Sequence, residues 1–248
     1  MSLTTKLYRS REVVLDMLSD RGYNTDEYAN YSAEEIDILY KTNNNIKSPN
    51  TEINSLDIKV KNAAGNTLVI KYMLATRIRT RNIGEDLEDM INPQKNDYKS
   101  GDTIIIVIRD KLKNPEILET QFETIYETKG IFCQLFDIDK LMYNVTKHSM
   151  VPAHEVLSAD EKADLLKKYN LVSDGQLPLI MKTDPVAKYH GLTTGQVCRI
   201  IRSSETHGVY NSFYAITDNS FYAITDIAYS SYTLHGSHYY ELFDILVQ

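Results

Sequence analysis

Apolar residues recur along this chain at two periods, and the changes of period mark its elements. Leu7, Val14 and Leu18, with Tyr8 and Leu15 beside them, fall at helical spacing, so residues 5–20 predict an amphipathic helix that Arg21-Gly22 stops. Ser32-Ala-Glu-Glu35 is a capping box ahead of Ile36, Leu39 and Tyr40 and predicts a second, shorter helix. The Asn-rich run 42–50 reads as a loop. Asp57–Lys61 alternates apolar and polar residues, 62–66 has turn chemistry, and Thr67–Met73 returns as a strand, which makes a hairpin. Thr103–Ile108 is continuously apolar and β-branched, as a strand covered on both faces must be. Asn114-Pro115 fits an N-cap followed by a first-turn proline, opening a helix whose buried stripe is Leu118, Phe122 and Ile125. Another strand, IFCQLF, follows Gly130. Strand, helix and strand in this order imply a parallel pair with a crossover, so the first part of the chain reads as a small α/β domain.

A second unit starts near Lys147. Ser158-Ala-Asp-Glu161 caps a helix with Leu165, Leu166 and Tyr169 on its apolar face, and Asp184-Pro185 opens a short helix that ends at Gly191. Gly195 closes a turn before a strand from Gln196 to Arg202, and a further strand starts near Val209. This is a compact α+β unit. The octapeptide NSFYAITD occurs at 211–218 and again at 219–226. Two copies are too few for a solenoid and read as a duplicated strand segment, a hairpin or an extension. The expected boundaries are 1–146, 147–217 and 218–248.

Composition narrows the functional classes. With 248 residues, 42% hydrophobic and 25% charged, the chain suits two modest cores. No apolar run approaches the roughly 20 residues of a membrane span, and the first residues lack the apolar centre of a signal peptide, so a soluble intracellular protein with no membrane contact is expected. Cys133 and Cys198 lie in apolar stretches and build neither a disulfide framework nor a zinc cluster. A net charge of -7 argues against a protein that holds DNA unaided. From Ser203 to Gln248 there is no Lys or Arg, while Glu205, Asp218, Asp226, Glu241 and Asp244 are acidic, so the tail should face protein or solvent.

The segments LLKKYNL, QLP at 176–178, DPVAKYHGL at 184–192, GQVCRIIR at 195–202 and SSET at 203–206 occur in this order. Together they resemble the signature of the shared fifth subunit of eukaryotic-type DNA-directed RNA polymerases, whose carboxy-terminal domain is similar to its archaeal, H-like counterpart. HSMVPAHEVLS at 148–158 and LYRSREVVLDMLSDRGY at 7–23 extend the resemblance, which covers about 1–217. It implies a non-catalytic subunit without cofactor or metal. The carboxy-terminal domain would dock on the largest polymerase subunit, and the amino-terminal domain would form part of the jaw beside downstream double-stranded DNA. Docking candidates are Asp184, Pro185, Val186, Tyr189, Gly191 and Gly195. For Val186 and Tyr189 a place in the domain's own core is the equal alternative, and the glycines serve backbone geometry. The chain departs from the family pattern at Thr193-Thr194, where a basic pair is usual, at Ser203, where proline is common, and at His190, where an aromatic is frequent. The ending HYYELFDILVQ also resembles the family's last strand, which would make everything from 211 onward an insertion. Location follows the polymerase served: the nucleus for a cellular enzyme, a cytoplasmic viral factory or virion for a large DNA virus.

Two places in the first domain are DNA-contact candidates. Lys111, Lys113, Asn114 and Pro115 stand at a helix start, where free N–H groups and two lysines suit a phosphate. Arg77, Arg79 and Arg81 alternate in RIRTR and would share one face of a strand. Solvated surface or intersubunit salt bridges are the alternatives at both. The α/β pattern also resembles the restriction-endonuclease-like fold. There Asp57 and Lys71 mimic part of a metal site, but Val69 stands where the second carboxylate is needed. A metal-dependent nuclease or free-standing DNA-binding adaptor is the alternative function, and the domain reads as catalytically degenerate.

Overall fold

The structure, a computed structural model, describes residues 2–45, 56–74, 80–92, 98–204 and 208–218. It divides into two compact units, Met1–Asn144 and Val145–Gln248.

The first unit is built around β3 (Thr103–Ile108), all six of whose residues are buried. Two helices, α1 (Leu3–Asp20) and α2 (Ala33–Asn45), precede the antiparallel hairpin β1 (Ile58–Lys61) and β2 (Thr67–Met73), in which Ile58 faces Ile70. Helix α3 (Thr80–Ile91) then leads to β3, and α4 (Glu116–Lys129) leads to β4 (Phe132–Asp137). The sheet order is β1-β2-β3-β4, with β2, β3 and β4 parallel. Ile104, Ile106 and Ile108 pack with Ile83, Leu87 and Ile91 of α3 and Leu118 and Phe122 of α4. Ile105 and Val107 point the other way, as strand alternation requires. On that face Gln134, in register with Ile105, accepts a hydrogen bond from Arg21 at the end of α1 (2.9 Å). Arg11, buried within α1, donates to the Leu56 carbonyl (3.1 Å) and lies over the Tyr28 and Tyr31 rings.

Several sequence expectations needed correction. Helix α2 runs on to Asn45, past the point where the Asn-rich loop was expected to begin, because asparagine lowers helix propensity without breaking the helix as Gly or Pro would. Helix α3 was not anticipated, although Ile83, Leu87 and Ile91 recur every four residues. At α4 the structure places Pro115, in helical geometry, just before the first helical residue, with no side-chain cap. Asn114 contributes its carbonyl, which accepts from Thr80 Oγ1 (3.4 Å).

In the second unit, β7 (Val197–Ser204) and β8 (Gly208–Thr217) form an antiparallel pair running from Val197↔Ala215 to Ser204↔Gly208. Two short strands not foreseen from sequence complete the order β5-β7-β8-β6: β5 (Ala153–Val156), antiparallel to β7, and β6 (Leu179–Met181), parallel to β8. Three or four residues carry too little periodicity to be read alone. Ala187, Leu192, Cys198 and Ile216 cluster on one face, and Leu165, Val197 and Ala215 on the other. The first helix, α5 (Ala159–Lys168), has the expected box: Glu161 N–H donates to Ser158 Oγ (3.3 Å) and Ser158 N–H to Glu161 (2.9 Å). The second is α6 (Pro185–His190). Residues 211–217 of the first NSFYAITD copy thus lie in β8 with Asp218 just after it, whereas the second copy and HYYELFDILVQ fall outside the described residues.

Replacing Ile106 by Ala removes a fully buried side chain from the middle of β3, and should destabilise the first unit by about 2–5 kcal/mol, read as a lower urea midpoint with an unchanged slope.

Candidate functional site

The turn that follows α6 is held from all sides. Asp184 caps the helix, its Oδ1 accepting from the amides of Val186 (2.8 Å) and Ala187 (3.2 Å), and Pro185 takes the first helical position. Gly191, at φ 68°, closes the helix: its N–H returns to Lys188 (3.1 Å) and that of Leu192 to Ala187 (3.0 Å), a Schellman ending anchored by buried Leu192. The chain turns again through Thr193–Gln196, with Gly195 at φ 83° and its N–H on the Ile216 carbonyl of β8 (3.1 Å). Both glycines therefore sit in the left-handed region that other residues enter at a cost.

Side chains from distant parts of the unit complete the turn. Lys162 of α5 donates to the Gly195 carbonyl (2.6 Å) and to Asp174 (2.6 Å). Thr194 donates to Asp218, which also pairs with Lys182 (2.7 Å). Lys162 thus supplies a cation to a turn whose own sequence, Thr193-Thr194, has none. No local motif reveals it, because it arrives from a residue 33 positions away. His154 on β5 is a second residue that sequence reasoning missed. Burial holds its imidazole below the usual histidine range, against its Nδ1 contact with the Pro152 carbonyl (2.7 Å) and the charge of Asp184.

Of the docking candidates, Val186 and Tyr189 are 8% and 3% exposed, so they pack within their own domain, the second of the two roles their position allowed. What α6 and its turn present outward is Pro185 and Thr194, with Lys188 and His190 partly exposed. The His190 ring stands edge-on to Tyr189, centroids 5.4 Å apart.

In the first unit, Lys111 and Lys113 are exposed on either side of Leu112, whose burial anchors the loop. The α4 N-terminus beside them already carries Glu116 and Glu119 in its first turn. Those carboxylates answer the helix dipole, so the lysines rather than the helix amides are the cations available to a phosphate. Arg77 and Arg79 lie outside the described residues. Arg81 is not on a strand: it sits in the first turn of α3, exposed and ion-paired with Glu85 (2.7 Å). For Arg81 the expected strand position is therefore corrected to a helix start at the carboxy-terminal end of the sheet. Parallel strands bring the segments after β2 and after β3 to the same end of the sheet, where Thr80 meets Asn114.

The nuclease elements do not assemble. Asp57 is buried and accepts the Tyr72 amide (3.1 Å), and Lys71 stands in register with Ile106 on the α3–α4 face. Among the described residues no three His, Cys, Asp or Glu side chains converge as a metal site would require. Cys133 and Cys198 are buried free thiols whose pKa values burial pushes up to about 12 and about 11. Among the described residues no helix is long and apolar enough to cross a membrane.

Comparison with known proteins fits this geometry. Residues 143–216 match the family described as RNA polymerase Rpb5, C-terminal domain. Over most of its length the chain is similar to the DNA-directed RNA polymerases I, II, and III subunit RPABC1 of Caenorhabditis elegans, 30% identical over 211 residues that make up 85% of this chain and 95% of that protein. A Dictyostelium discoideum subunit of the same description is 29% identical over 208 residues, 84% of this chain and 95% of its own length. The DNA-directed RNA polymerases IV and V subunit 5B of Arabidopsis thaliana is 27% identical over 209 residues, 83% and 88% of the two chains. This chain belongs to the Rpb5/RPABC1 family, the non-catalytic subunits of DNA-directed RNA polymerase.

Two outcomes test the architecture of the turn. Asp184→Ala removes the acceptor for two amides and should cost about 1 kcal/mol in chemical denaturation, with Asp184→Asn losing much less. Lys162, foremost by its hydrogen bond, holds the Asp174 carboxyl below its usual value. A lowered folded value gives stability that is present above the unfolded pKa and lost as pH falls through the folded one. The second unit should therefore weaken on acidification below roughly pH 4, and Lys162→Met should flatten that part of the thermal-unfolding profile.

Proposed function

We propose that this subunit docks on the largest subunit of its polymerase through residues 147–217, and that residues 1–146 form part of the jaw beside downstream DNA, with 218–248 as an extension. The observation that carries docking is the turn at 184–195. Its helix end, the amides of both glycines and the Gly195 carbonyl are satisfied within the unit, so it offers a partner a surface ordered in advance. Asp184, Pro185, Gly191 and Gly195 shape that surface, while buried Val186 and Tyr189 stiffen it from behind. Jaw contact is supported by exposed Lys111 and Lys113, with Asn114 and Pro115 setting the loop and Arg81 at the same end of the sheet.

The mixed sheet covered by helices on both faces supports reading the first unit as a degenerate restriction-endonuclease-like fold. Polymerases I, II and III of the similar nematode and amoebal proteins point to shared use and a nuclear location here.

Affinity purification of the tagged chain should recover the largest polymerase subunit, and removal of 147–210 should abolish that recovery. Isolation of the intact chain only as a free monomer would overturn the docking. Lys111→Ala with Lys113→Ala should leave assembly intact and reduce the slope of log affinity against log salt for downstream DNA by about 2. An unchanged slope would remove the lysine loop from the jaw contact.

A further inference from the structure

Helices α3 and α4 both cross between parallel strands, so they run in the same direction side by side, and a groove of about 330 Å³ opens between their outer faces. Gly84 and Glu88 of α3 line it on one side, and Ile117 and Gln121 of α4 on the other. Gly84 keeps the floor low, because a side chain there would run into Gln121, whose Oε1 lies 2.6 Å from the place of a Cβ. Ile117 is 56% exposed, although Leu118 beside it is fully buried.

The exposed face of α4 continues the groove. Thr120, Thr124 and Thr128 each donate a hydroxyl to the carbonyl four residues back, those of Glu116 (3.1 Å), Thr120 (3.0 Å) and Thr124 (2.6 Å). With the hydroxyls committed to their own helix, what these residues offer outward is a methyl group, and threonine is a poorer helix former than the Lys, Glu or Gln of an ordinary solvated face. Ile117, Gln121, Thr124 and Thr128 therefore make an uncharged stripe at the i, i+4, i+7, i+11 spacing of a helix-packing seam, roughly 16 Å long. At roughly 100° per residue, the stripe lies between the core row of Leu118, Phe122 and Ile125 and an acidic row of Glu116, Glu119, Glu123 and Glu127. Glu88 stands across the groove, and Arg81, the cation in the lining, is already paired with Glu85 (2.7 Å).

We propose that the α3–α4 groove docks an amphipathic helix of another protein, its inner seam apolar and its flanks rich in Lys or Arg. The stripe sets the shape: a row of side chains with helical period over three turns fits the ridges of a helix rather than the two-residue repeat of a strand. Charge sets the flanks. A second copy of this chain would press acidic row against acidic row, and a phosphate backbone would meet the same repulsion, so a basic occupant is the one that gains from both walls. The groove reaches the end of the sheet where Thr80 meets Asn114, so the docked helix also brings positive charge beside the lysine loop.

Titration of the full-length chain with a synthetic helix-forming peptide, Leu at its a and d positions and Lys at e and g, tests this. The peptide should bind and shift the Ile117 Cδ1 methyl resonance. Ile117→Asp should lower its affinity at least about tenfold, the loss expected when one isoleucine contact is removed. Aspartate in the first turn of a helix suits the dipole, so this variant should keep the parent thermal midpoint, and weaker binding then reports the groove rather than the fold. Glu88→Gln with Glu116→Gln should weaken binding and flatten its salt dependence. The proposal is overturned by an unmoved Ile117 methyl, by unchanged affinity in Ile117→Asp, or by equal binding of a peptide with Glu in place of Lys or Ser in place of Leu. Self-association of the chain alone that Ile117→Asp abolishes would assign the groove to a second copy, and a shift of the same methyl by duplex DNA alone would assign it to nucleic acid; either result overturns the proposal as well.

Discussion

The burial of β3 on both faces is the constraint on which the first unit depends. Six consecutive buried residues need cover above and below, and the chain supplies it with α1 on the Ile105 and Val107 face and α3 with α4 on the other. Parallel strands on either side can be joined to β3 only by crossovers, and those crossovers are α3 and α4. The same topology fixes where chemistry can be placed. Both crossover segments leave the sheet at the carboxy-terminal ends of their strands, so the start of α3 and the lysine loop before α4 become neighbours. The position of Lys111 and Lys113 is thus a consequence of the apolar strand that precedes them.

The second unit solves a smaller version of the problem with less apolar material. Among its described residues the cores are two small clusters on opposite faces of β7 and β8, and much of its definition comes from polar groups that are satisfied internally. Asp184 meets two helix amides, Glu161 and Ser158 exchange bonds, and Lys162 ties α5 to the glycine turn. Individually these are modest contributions, about 1 kcal/mol for a helix cap. Their combined effect is geometric: between Gly191 and Gln196 the amides of Gly191, Leu192, Thr193, Gly195 and Gln196 and the Gly195 carbonyl are taken up within the unit.

Much of this was legible in the sequence where a residue type has one mechanical use. The capping boxes at Ser32 and Ser158, the Asp184 cap with its proline, the glycine stops and the apolar run of β3 all say locally what they do. Elements defined by neighbours were not legible. The three residues of β6 are a strand because β8 lies beside them, and β5 because β7 does. Helix α3 was hidden by a competing reading: alternating arginines in RIRTR suggest a strand, while the period that decides begins only at Ile83. At the candidate site, the Asp184 helix was read correctly and the outward role of Val186 and Tyr189 was not separable from a core role, since both require an apolar side chain at the same spacing. Lys162 was invisible for a different reason: a lysine near an acidic helix start reads as solvated surface until the fold brings Gly195 to it.

Charge orders the two proposed contacts. A chain of net charge -7 whose lysine loop is followed by Glu116 and Glu119 gains little from phosphate on its own. Two lysines release about two counterions, whereas proteins that hold DNA unaided make roughly 6–10 phosphate contacts. Arg81 adds little while it remains paired with Glu85. A local contact of that size matters only when DNA is already held close by the rest of a polymerase, because a tethered contact acts at an effective concentration that a free one lacks. The proposed docking surface has no such dependence, since its backbone is ordered before any partner arrives. Under the proposed function, assembly through the second unit therefore comes first in the energetics, and DNA contact by the first unit is conditional on it.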